Sequence, residues 1–156
     1  MQELTWLLMN NLNYEKAQDV NQFYRSPFIE FGGAGLNDDS VNLNELEQSH
    51  ENTKVFMQNA ITYTTKIMKD PRLVKTHLPI QMLPTQVQND QKIIYVARNL
   101  KDVCVSLYHH MNCTADFKEF AAAFKSGELA PGNWPGHIKD AWTRKDHTNV
   151  CFVWYY

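Results

Sequence analysis

Two short stretches hold residues whose types and spacing could do chemistry. In "RLVKTHLPIQMLP" (72–84), Lys75 and His77 stand one residue apart and Pro79 follows. Proline has no N–H to donate and a fixed φ, so neither a helix nor a central strand runs ordinarily through it. Arg72-Leu73-Val74 therefore reads as the end of a short apolar strand, with Lys75 and His77 where it stops. In "YVARNLKDVCVS" (95–106), Arg98 closes an apolar run, and Ser106 comes about two helical turns later.

Ligands of open parallel sheets bind beyond the carboxyl ends of the strands. If these two strands are neighbours, Lys75, His77 and Arg98 share one rim, and Ser106 can face it. An arginine grips a phosphate with a planar fork, whereas a lysine offers a point charge suited to a leaving oxygen. A histidine near neutral pKa is the usual base for activating a hydroxyl. Together they describe transfer of an anionic group from a phosphate-bearing donor to an alcohol or phenol. Each has a bland reading alone: Arg98 as a surface or capping charge, His77 as a hydrogen-bonded loop residue. Only their convergence points to chemistry.

The elements that must position them follow from periodicity. "KIIYVARN" (92–99) is a continuous β-branched and aromatic run, which suits a strand covered on both faces in a parallel sheet. "LKDVCVSLYHHMN" (100–112) reads as a helix with Asn99 as N-cap. Further helices are predicted over 115–127, stopped by Gly127, and over 133–146, starting after Pro135 and Gly136. "NVCFVWYY" (149–156) is a second buried-type strand. Upstream, Met1, Leu4, Leu7, Leu8 and Leu12 form the apolar face of a first helix. A loop at 25–35, a short helix near 42–48 and a helix over 53–70 ending at Pro71 complete the series. Alternating strands and helices predict an α/β domain with a central parallel sheet. An uncapped first helix and a buried last strand lead to the expectation of an interior segment of a larger domain.

At 156 residues the chain matches the length of about one domain, and its 44% hydrophobic content suffices for a core. A net charge of −2 gives no reason to expect nucleic acid or an anionic membrane as a bulk partner. Three cysteines without a C-x-x-C pair favour a reducing compartment, and no signal peptide or membrane-length apolar run is present, so a cytosolic location is expected. The adjacent His109 and His110 do not share a helix face, and no acidic or cysteine partner stands at ligand spacing, so no metal is expected. Cys104, Trp134 and Trp142 read as core residues.

The same residues carry a likeness. "PRLVKTHLP" followed by "YVARNLKDVCVSLYHH" resembles the cytosolic sulfotransferases, which move a sulfuryl group from 3′-phosphoadenosine 5′-phosphosulfate (PAPS) to a hydroxyl or amine. "RSPFIEF" before them and "FAAAFKSGELAPGNWPGHIKDAW" with "CFVWYY" after them fall in the family's order. The resemblance implies a P-loop-NTPase-like, three-layer α/β sandwich around a parallel sheet, incomplete here. It implies His77 as the base and Lys75 as the group that offsets charge on the leaving side. Arg98 and Ser106 would hold the 3′-phosphate, and Tyr156 the adenine side if an acidic pair followed it. Phe28, Phe31 and His110 would border the pocket of a small apolar alcohol or phenol. PAPS would be the co-substrate, no metal is implied, and the full-length protein would have a homodimer within its repertoire.

The sequence departs from the family pattern in three ways. The glycine-containing 5′-phosphosulfate loop that normally precedes the first helix is absent, as are the later nucleotide-binding and dimer-contact segments. The stretch 36–70 reads as a longer insertion bordering the pocket, and 111–117 as a shortened one. His110 stands where an aromatic residue is frequent. One sulfotransferase domain over 1–156, partial, is the expectation. Two alternatives stay open: an inactive remnant acting as a binding protein, and a related nucleotide kinase, which lacks its G-x-x-x-x-G-K-[ST] motif here.

Overall fold

The computed structural model describes residues 1–32, 63–129 and 132–155. The predicted helix near 42–48, and most of the one over 53–70, lie outside them. The chain divides into two compact units, Met1–His77 and Leu78–Tyr156.

The first unit opens with α1 (Gln2–Met9), α2 (Tyr14–Asp19) and α3 (Gln22–Arg25), followed by a 3₁₀ turn at Ile29–Gly32. Asn13 and Asn21 cap α2 and α3 by accepting from the Lys16 and Phe23 amides, satisfying N–H groups that have no partner inside the helix. The face of α1 departs from expectation. Trp6 and Leu7 are buried, whereas Met1, Leu4, Leu8 and Leu12 are exposed. Arg25 decides this orientation. Its guanidinium lies 4.6 Å over the Trp6 ring and grips Glu3 of α1 through two bonds of 3.1 and 2.7 Å, while Nε donates to the Val20 carbonyl. A buried cation needs such partners, and they turn the helix toward Trp6. Of residues 53–70, Tyr63–Ile67 form a π-helical turn.

The strand expected to end at Val74 does not form. Lys75 makes an isolated parallel bridge with Phe28: its amide donates to Pro27 O at 2.8 Å, and its carbonyl accepts from Ile29 N at 3.2 Å. Pro27 has no N–H to offer, and the 3₁₀ turn begins at Ile29, so the ladder stops after one step.

The second unit runs through a 3₁₀ turn at Ile80–Met82, α4 (Thr85–Asp90), β1 (Ile93–Arg98), α5 (Leu100–His110), α6 (Phe117–Ser126), α7 (Trp134–Thr143) and β2 (Val150–Tyr155). β1 and β2 pair in parallel, with Ile93 opposite Val150 and Arg98 opposite Tyr155. Asn99 caps α5, and Asp116 caps α6 through the Lys118 and Glu119 amides. Gly127 ends α6 at φ +81°, a conformation open to glycine at no steric cost. α7 starts at Trp134 rather than after Gly136: Asn133 caps it, and Pro135 fits the first turn, where no intrahelical N–H is needed.

Side chains in register share a face of a parallel pair. Tyr95 and Phe152 stack at 5.2 Å on the face covered by α7, where His137 meets Tyr95 and Trp142 meets Phe152. The opposite face is not covered as the sequence reading expected: Ile94 and Val96 are 43% and 42% exposed. Among the described residues, two strands with α7 on one side leave that face open. Cys104, Phe120 and Phe124 form the core between α5 and α6, joined by Trp134. Trp142, expected in the core, is exposed and packs its edge against Phe152.

Candidate functional site

In the first unit the structure brings Phe28, Lys75 and His77 together. Residues two apart in an extended stretch point the same way. Lys75 Nζ lies 4.8 Å from the centre of the Phe28 ring, and the His77 ring meets Phe28 edge-on at 4.6 Å, with 75° between the planes. One aromatic ring thus touches both the ammonium and the imidazole. His77 is exposed and Lys75 half-buried.

Glu30, which sequence reasoning passed over, holds this stretch from behind. Its Oε1 accepts from Thr76 Oγ1 at 2.6 Å and from the His77 amide. The signal was present: a lone carboxylate inside the aromatic "PFIEF". Of the pair Phe28 and Phe31, the side chain at 31 lies outside the described residues.

In the second unit, Arg98 ends β1 on the open face of the sheet. Its guanidinium carbon is 5.3 Å from the centre of the Tyr155 ring. Asp102, four residues on, is 4.0 Å from Arg98 Nε, too far for a hydrogen bond and half exposed, so the pair is weak. Nε is buried and has no hydrogen-bond partner among the described residues. The side chain as a whole is 37% exposed, and its weakly paired guanidinium is suited to an anionic acceptor. The tyrosine beside Arg98 is Tyr155; Tyr156 lies outside the described residues. Ser106 and His110 are exposed on α5, whose other face carries Leu100, Val103, Cys104 and Leu107 into the core. Burial pushes the Cys104 thiol up, away from the thiolate form.

Tyr95 and His137 form a second titratable pair, with the phenol oxygen 2.8 Å from Nδ1. Burial, with the Asp140 carboxylate adding to it, pushes the Tyr95 phenol up to about 12. Asp140 is itself held by the Gln81 amide and Arg144 Nε. This network ties α7 to β1 and to the 80–82 turn. A cavity of about 290 Å³ between that turn and the start of α7 contains none of the candidate site residues. No group of three His, Cys, Asp or Glu side chains among the described residues is arranged to hold a metal ion. No helix among them is long and apolar enough to cross a membrane.

A family model for the sulfotransferase domain matches residues 1–156. The chain is 34% identical to luciferin sulfotransferase of Photinus pyralis, an alignment covering 99% of this chain and 42% of that protein. It is 32% identical to sulfotransferase 1 family member D1 of Rattus norvegicus, covering 98% of this chain and 47% of that one. The chain therefore spans about half the length of these relatives. Among solved structures it resembles retinol dehydratase in complex with androsterone and the inactive cofactor PAP, with a TM-score of 0.71 and 26% identity, over 97% of this chain and 49% of that one. Mouse sulfotransferase SULT7A1 complexed with PAP is 34% identical over 58% of this chain and 35% of its own, with a TM-score of 0.55.

Proposed function

The chain belongs to the sulfotransferase domain family over residues 1–156, with the family's mixed α/β fold, and from that premise we propose that the protein transfers a sulfuryl group from PAPS to the hydroxyl of a small apolar alcohol or phenol. His77 takes the acceptor's proton as its oxygen attacks sulfur. The bond from sulfur to the bridging phosphate oxygen breaks, and its electron pair leaves with adenosine 3′,5′-bisphosphate. Lys75 offsets the charge that develops on that oxygen. Arg98 and Ser106 hold the 3′-phosphate, and Phe28, Phe31 and His110 border the acceptor. The three-layer sandwich around a longer parallel sheet belongs to the same proposal.

One observation carries the reading: Phe28 sits against both the Lys75 ammonium and the His77 ring, so base and cation face the same side of one extended stretch. Sulfuryl transfer, like phosphoryl transfer, depends on in-line positioning and charge stabilisation, which is what such a pair supplies. The weakly paired guanidinium of Arg98 supports an anionic donor, and relatives have been solved with PAP.

The test is a transfer assay with PAPS and a panel of phenols and apolar alcohols, on the longest natural chain that contains residues 1–156. Formation of a sulfate ester with an equal amount of adenosine 3′,5′-bisphosphate is expected. A folded chain that binds the bisphosphate yet transfers nothing to any acceptor would overturn the enzymatic reading.

A further inference from the structure

We infer that Glu30 is a positioning residue for the base, acting through the main chain rather than by touching substrate. The inference rests on the reading of His77 given above. One carboxylate oxygen, Glu30 Oε1, accepts from both the Thr76 hydroxyl and the His77 amide, 46 and 47 residues away in sequence. Bonds to an ionised acceptor are about twice as strong as neutral ones, and two donors on one oxygen fix the Thr76–His77 peptide in place.

Glu30 also lies just beyond the bridge between Phe28 and Lys75. The segment 27–30 therefore grips 75–77 at three points: the Pro27 carbonyl on the Lys75 amide, the Ile29 amide on the Lys75 carbonyl, and Glu30 on the next two residues. The bridge orders Lys75 without help from Glu30. His77 lies beyond the bridge, at a point where no ladder continues, and Glu30 supplies the backbone partner that a neighbouring strand would otherwise give. The angle at which the imidazole meets Phe28 depends on that partner.

A misplacement of about 1 Å at the reacting centre can cost on the order of 10²-fold in rate, so Glu30→Ala is expected to lower kcat about 100-fold with both KM values within a factor of about three. Glu30→Gln keeps a carbonyl oxygen in the same place and is expected to recover most of that loss. The deciding measurement is a double-mutant cycle with His77→Ala in the longest natural chain carrying the sequence. If Glu30 acts through His77, Glu30→Ala costs nothing further once His77 is gone. A further full 100-fold loss in the His77→Ala background, or a Glu30→Ala enzyme with unchanged kcat while His77→Ala is inactive, overturns the inference and leaves the base assignment standing. Near-normal turnover of His77→Ala itself overturns the functional reading, and this inference with it.

Discussion

Arg98 and Tyr155 are register partners on neighbouring strands, and the guanidinium carbon lies 5.3 Å from the centre of the phenol ring. The ring supports the cation without occupying its hydrogen-bond donors, so an exposed sheet face carries a fixed, weakly paired guanidinium. Calorimetric titration with adenosine 3′,5′-bisphosphate is expected to show binding that Arg98→Ala abolishes. Arg98→Lys should weaken it at least about tenfold, because lysine cannot form the planar fork. Tyr155→Leu should weaken it only about two- to five-fold, the worth of an exposed cation–π contact. Binding unaltered in Arg98→Ala would remove Arg98 from the nucleotide site.

His77 is expected to carry the proton transfer. A positioned base contributes about 10²–10⁴ in rate, and His77→Ala should lose that much of kcat while bisphosphate binding stays intact. Single-turnover measurement separates the two. A variant that turned over near-normally would show that another group takes the proton.

Arg25 is expected to be irreplaceable by lysine. Its fork binds both carboxylate oxygens of Glu3 while Nε reaches the Val20 carbonyl, three bonds that a single ammonium cannot reproduce in that geometry. Bonds involving a charged group are worth about 1.5–3 kcal/mol, and Arg25→Lys should destabilise the chain by about 1–3 kcal/mol in urea. Equal midpoints for the two proteins would refute this.

Tyr95 is expected to contribute to the loss of stability at alkaline pH. Its folded pKa of about 12 lies above the ordinary 10.0, so the folded state keeps a proton that the unfolded state releases first. Its contribution is fully present below pH 10 and is lost as pH rises from 10 toward 12. Tyr95→Phe should flatten that part of the stability profile, as followed by thermal unfolding at stepped pH. An unchanged alkaline slope in the variant would mean other groups govern it.

Much of the second unit was legible in the sequence. The run around Tyr95, the cap Asn99 and Gly127 at the C-terminus of α6 act on neighbours within four residues, so local pattern sufficed. The sequence pattern starts α7 after Pro135 and Gly136, whereas the helix begins at Trp134, because its first turn tolerates proline and Asn133 caps it. The α1 face was misread because its leucines sit at helical spacing, yet Arg25, a residue beyond the helix, settles which side is buried. Trp142 has a core residue's composition but lies at the margin of the α7–sheet contact.

The sequence by itself determined the helices and strands from Ile93 to Tyr155, but not the turn at Ile80–Met82 or α4 (Thr85–Asp90), and it determined which residue types were available for anion transfer. Those properties arise from dihedral preference, capping and hydrophobic spacing, all short-range. Tertiary structure alone decided that Lys75 pairs with Phe28 instead of extending a strand, that Glu30 holds the His77 amide, and that Arg98 rests on Tyr155. These contacts join residues 47 to 57 positions apart. No local preference encodes them; they exist because folding brings distant backbone donors, carboxylates and rings within bonding range at once.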